Sequence, residues 1–242
     1  MIFFYIAIAL LPSVVWLLFY LREDAHPEPK RMIILTFLAG GLVAPLVIVA
    51  EFAANILVSL ADYIFNLNFA AESFLFMFFG IALVEEYAKY GAVKIMKRKY
   101  ARQFDEPTDL MIYMIVAALG FAAVENISFL VPTLAKTFLQ GLGQTFLRFS
   151  GATLLHALAS GIIGYFLALG LYRPKRWAHF FAAGFFIAVP LHWLFNQIIM
   201  VSEKNGDPYL FIYEAALLSL MSVGAAIAFK HLRALKIENG DN

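Results

Sequence analysis

The chain of 242 residues contains no cysteine, and only 14% of its residues are charged. Without cysteine there is no disulfide, no thiolate-bound iron–sulfur cluster and no cysteine nucleophile. A water-soluble domain keeps about a quarter of its residues charged. With 62% hydrophobic residues and a mean hydropathy of +0.79, this chain reads instead as an all-α, polytopic membrane protein. The opening run MIFFYIAIALLPSVVWLLFY lacks the basic start and small-residue cleavage site of a signal peptide, and it is long enough to span. It reads as a retained first helix. There is no internal repeat or low-complexity tract, so residues 1–242 are expected to form a single membrane domain.

Apolar runs long enough to cross a bilayer occur at about 2–21, 32–50, 73–93, 109–131, 149–172, 177–200 and 209–229. A weaker run at about 53–70 is interrupted by Asn55, Asp62, Asn66 and Asn68. Four basic clusters set the orientation: Arg22, Lys30 and Arg31; Lys94, Lys97, Arg98, Lys99 and Arg102; Arg173, Lys175 and Arg176; and Lys230, Arg233 and Lys236. Placing all four in the cytoplasm puts 14 of the 18 Lys and Arg residues inside and leaves Lys136, Arg148 and Lys204 outside. This requires about seven spans, with the N-terminus out and the C-terminus in. It also makes 53–70 an external interfacial or re-entrant segment.

Against this apolar background a few residues stand out because lipid does not tolerate them cheaply. A charge at mid-bilayer costs about 3 kcal/mol on insertion scales, which marks such residues as functional candidates. Glu85, Glu86 and Lys89 form EExxK in one helix, where Lys89 reaches either carboxylate at i,i+3 or i,i+4 spacing. Phe121, Glu125 and Asn126 form FxxxEN in the next. His156 lies in LLHALASG, and His192 and Asn196 form HxxxN just after Pro190, a residue able to kink the helix. Taken singly, each pattern is also compatible with polar contacts between packed helices. Ser160 has no evident base on its own helix and reads as a packing residue. Counting inward from the cytoplasmic ends puts Glu125, His156 and His192 each roughly 24 Å deep, and Glu85 roughly 18 Å, in a core of about 30 Å. The groups converge in depth, slightly toward the outer side.

In this order, EExxK, FxxxEN, the His156 segment and HWLFN resemble the PrsW family of bacterial intramembrane proteases, over about residues 73–200. The related prenyl endopeptidases have EExxxR and FxxxH where this chain has the shorter spacing to Lys89 and a glutamate at 125. The resemblance implies hydrolysis of a peptide bond in a transmembrane protein substrate such as an anti-sigma factor, in a bacterial cell membrane, with no nucleic-acid partner.

The catalytic set expected from these residues is Glu85, Glu86, Glu125, His156, His192 and Asn196, supported by Lys89 and Asn126. In that scheme Glu86 or Glu85 activates water, His156 relays the proton, and His192 with Asn196 stabilises the oxyanion. No HExxH motif is present, and metal-free hydrolysis is preferred. Zinc is the alternative, with Glu86, Glu125, His156 and His192 as its ligands. A proton-coupled transporter or a non-catalytic scaffold would use the same polar residues differently. The transporter would show pH-gradient-dependent flux without cleavage, and the scaffold would tolerate loss of Glu85.

Overall fold

The computed structural model describes residues 1–23, 27–65, 76–205 and 209–235. Its secondary structure is entirely helical among the described residues: α1 (Ile2–Tyr20), α2 (Lys30–Phe65), α3 (Leu83–Lys99), α4 (Pro107–Lys136), α5 (Phe138–Ser150), α6 (Ala152–Tyr172), α7 (Trp177–Asn205) and α8 (Leu210–Ala234).

The bundle is built around α4. A helix apolar on all sides has no face to offer water and is buried wherever neighbours allow. Every residue of α4 from 107 to 123 is buried. Its start is fixed by a capping box in which the Asp109 carboxylate accepts from the Glu106 N–H at 2.7 Å, with Pro107 at the first helical position. Helices α1, α2, α5 and α6 pack around it. The α2–α4 crossing brings two backbones into contact: a Cβ at Gly40 would lie 1.9 Å from the Ala117 carbonyl oxygen, and one at Gly120 would lie 1.9 Å from that of Phe37. Only glycine permits this approach, which is how helices associate where no hydrophobic effect drives them together.

Among the described residues, six helical segments are long and apolar enough to cross a membrane; α3 is not among them. A seven-residue π-helix, Phe76–Ala82, runs directly into the 17-residue α3. The two together make a seventh helical run, polar where it carries Glu85, Glu86 and Lys89. The π-helix has no sequence signature, and such segments are often found beside functional sites.

Two elements differ from the sequence expectation. Residues 53–65 are not a separate interfacial or re-entrant piece: they continue α2, a single helix of 36 residues. At 1.5 Å per residue α2 is roughly 54 Å long, so it outreaches a hydrocarbon core of about 30 Å, and its polar far end need not turn back. Residues 66–70 lie outside the described residues. The run expected at 149–172 is α6 preceded by a distinct helix. α5 is strongly amphipathic and exposes Leu139, Phe146 and Leu147, while Gly141 is its one buried residue. Such a helix is suited to lie in a membrane interface. Trp16 of α1 ties it down by donating its indole N–H to the Phe149 carbonyl at 2.7 Å.

Candidate active site

The polar residues of α3, α4, α6 and α7 meet in one cluster. Lys89 is its centre and is fully buried. Its ammonium group donates to Glu85 Oε2 at 3.2 Å, to Glu86 Oε1 at 2.8 Å and to His156 Nδ1 at 2.7 Å. All three of its protons are thereby used. Beneath it the Phe121 ring lies 4.5 Å away, a cation–π contact that explains the aromatic one turn before Glu125.

The histidines follow from their partners. His156 Nδ1 accepts from Lys89, so Nε2 carries the ring proton and donates to Glu125 Oε2 at 2.9 Å. His192 Nδ1 donates to Glu86 Oε1 at 2.9 Å, which leaves Nε2 with its lone pair, 3.8 Å from Glu85 Oε2. The two rings meet edge to face with centroids 5.1 Å apart.

Glu85 and Glu86 have opposite surroundings. Glu86 accepts from Lys89 and His192 on Oε1 and from the Ser160 hydroxyl on Oε2 at 2.6 Å. Glu85 accepts only from Lys89 within hydrogen-bond distance among the described residues. Ser160 is therefore more than a packing residue, a role not foreseeable because its partner sits on another helix. Glu125 and Asn126 are held from outside the cluster by Arg148 of α5: Nη2 donates to Glu125 Oε2 at 3.1 Å, and Nε donates to the Asn126 side-chain oxygen. Asn126 in turn donates to Thr153 Oγ1 at 3.1 Å. Arg148 was hidden in the sequence among ordinary outward-facing basic residues. Asn196 stands one turn beyond His192 and makes no hydrogen bond among the described residues.

The donor set suits a divalent metal, though with different members from those expected. His156 Nδ1 and His192 Nε2 lie 3.7 and 3.8 Å from Glu85 Oε2, and one donor atom from each of the three residues falls within 4.8 Å of the others. Ligands at 2.0–2.1 Å from a tetrahedral zinc ion lie roughly 3.3 Å apart. Glu85, rather than Glu86 or Glu125, completes this group of facing donor atoms. Glu86 and Glu125 stand behind the histidines and hold their far nitrogens, the carboxylate–histidine arrangement common around metals. Lys89 competes for two of the three donors.

Residues 28–226 match the family model described as PrsW family intramembrane metalloprotease. Curated relatives named Protease PrsW include that of Geobacillus kaustophilus (strain HTA426), 28% identical over 190 residues, covering 78% of this chain and 76% of the relative. That of Bacillus subtilis (strain 168) is 28% identical over 199 residues, covering 81% and 76%. That of Clostridioides difficile (strain 630) is 25% identical over 212 residues, covering 85% and 83%. No solved structure matches. With the family model spanning most of the chain and the polar cluster gathered inside a helical membrane bundle, the chain belongs to the PrsW family of intramembrane proteases.

Proposed function

We propose that the chain is an endopeptidase acting on a membrane-anchored regulatory protein of the anti-sigma-factor kind, with Glu85, His156 and His192 as a divalent-metal site. One observation carries this reading: donor atoms from three helices face one another, and each histidine is backed by its own carboxylate; a metal held there would displace the Lys89 ammonium from Glu85 Oε2 and His156 Nδ1. A zinc ion held there would supply Lewis acidity and a bound water with a pKa near 7.

The chain's own residues supply the rest. Glu86 already accepts three hydrogen bonds, so it is a poor base and a good anchor for His192. Glu125 anchors His156, and Arg148 anchors Glu125. Lys89 places a positive charge beside Glu85, where it stabilises negative charge forming on a peptide oxygen. Asn196 has an amide uncommitted among the described residues and serves as a second oxyanion donor.

A metal-free variant of this reading has one observation of its own. The Lys89 ammonium already bridges Glu85, Glu86 and His156. In that variant Glu85, the less committed carboxylate, takes the proton of the attacking water.

The test uses purified full chain in detergent, with fluorescein-labelled casein as probe and metal content measured by mass spectrometry. The expected result is about one zinc per chain, with cleavage lost to 1,10-phenanthroline and restored by zinc. Glu85→Gln should lose both metal and cleavage. Full activity in metal-free protein, with Glu85→Gln still inactive, would select the metal-free variant. Wild type that leaves casein intact, or Glu85→Gln that cleaves normally, would overturn the peptidase site.

A further inference from the structure

One partly buried acid close to the cluster, Glu51, belongs to none of the four motifs. On α2, Ala44 and Val47 are buried against Phe121, with Val84, Ala88 and Val124 around them. Glu51 follows Val47 by four residues and so lies on the same face of α2, one turn further along. It is near enough to Glu125, Lys89 and Glu85 for their charges to act on it. Its Oε1 is buried and has no hydrogen-bond partner among the described residues.

Among the described residues, neither Lys89 nor Arg148, the two cations of the cluster, donates to it. Lys89 has committed all three protons to Glu85, Glu86 and His156. Arg148 is committed to Glu125 and Asn126. A buried acceptor without a donor is costly, and more so where water is excluded. A substrate presents the complementary deficit. A peptide bond in a membrane helix is exposed to attack only when the helix is locally unwound, and unwinding leaves main-chain N–H groups without acceptors in lipid.

We propose that Glu51 is a substrate-anchoring residue, whose carboxyl oxygen accepts a hydrogen bond from a main-chain N–H of the unwound substrate segment and holds that segment beside Glu85. This rests on the peptidase reading. The interaction needs an acceptor oxygen and no proton transfer, so it belongs to substrate binding rather than to the chemical step.

Kinetics on fluorescein-labelled casein in dodecyl maltoside micelles test it, with melting temperature measured for each variant. Glu51→Gln keeps a carbonyl acceptor and is expected to stay within about twofold of wild type in both kcat and KM. Glu51→Leu should raise KM about tenfold with kcat within about twofold, the equivalent of one lost hydrogen bond of about 1.4 kcal/mol. If Glu51→Leu melts well below wild type, Glu51→Met carries the same comparison with a side chain of similar length. An unchanged KM in the folded apolar variant overturns the assignment, and so does a tenfold fall in kcat for Glu51→Gln. Either result with wild type still cleaving leaves the peptidase reading standing; an inactive wild type removes that reading itself.

Discussion

Glu85 and Glu86 are neighbours in the chain, but Glu86 accepts three hydrogen bonds and Glu85 one among the described residues. Glu86 answers donors from Lys89, His192 and Ser160 on three helices. Replacing it with Gln turns an NH2 group toward at least one of those donors and breaks a buried ion pair, a change that costs about 3–5 kcal/mol where it leaves a charge uncompensated. Glu86→Gln should therefore lose both activity and a clear part of its melting temperature in detergent. Glu85→Gln should lose activity while melting close to wild type. Equal thermal losses in the two variants would contradict this division of labour.

Arg148 is argued in the same way. Arg148→Ala frees Glu125, which then no longer fixes His156, and removal of a partner of this kind typically lowers activity about 10–100-fold. Arg148→Lys should recover only part of it, because one ammonium cannot reproduce the guanidinium fork that reaches both Glu125 and Asn126. Full recovery by lysine would reduce Arg148 to a point charge. Asn196→Ala should lower kcat about 100-fold, the usual cost of an oxyanion donor, with metal content unchanged. If zinc is lost as well, Asn196 supports the ligands instead.

At the scale of elements, the sequence was informative where burial is costly. Glu85, Lys89, Glu125, His156 and His192 were visible because each interrupts an apolar helix, and the structure gathers all five. Arg148, Ser160 and Glu51 were not visible. A basic residue outside, a serine among small residues and an acid at the end of an apolar run are all ordinary in a membrane protein. The 53–65 segment was misleading for a related reason: falling hydropathy marks where a helix leaves lipid, and says nothing of whether the helix stops. The π-helix before α3 depends on how the chain is wound, which hydropathy does not record.

The α2–α4 crossing gives a direct test of packing. Gly120→Val would force a side chain onto the Phe37 carbonyl, and backbone cannot yield as a side-chain tip can. A large fall in melting temperature is expected. Gly91→Ala is the control, since a Cβ there meets nothing within 4 Å, and it should be neutral or slightly stabilising. Matching behaviour of the two variants would mean that α2 and α4 do not touch through their backbones.

On the scale of the whole molecule, we propose that α1, α2, the π-helix with α3, α4, α6, α7 and α8 make seven crossings that carry the chain from an outer N-terminus to an inner C-terminus. Charge supports that orientation. Lys97, Arg98 and Lys99 close α3, Arg176 lies just before α7, and Arg233 near the end of α8 reaches Glu23 just past α1 at 2.9 Å. These ends belong to one face, which the excess of Lys and Arg assigns to the cytoplasm. The amphipathic α5 then lies at the opposite face, with Arg148 reaching from it into the cluster. Substrate would meet the site from the outer leaflet. Because the chain has no cysteine, single introduced cysteines report side without a background. With a membrane-impermeant maleimide on intact cells, Gln144→Cys on α5 should label at once, whereas Lys97→Cys should label only after permeabilisation. The reverse pattern would invert the molecule, and labelling of both from outside would remove one of the seven crossings.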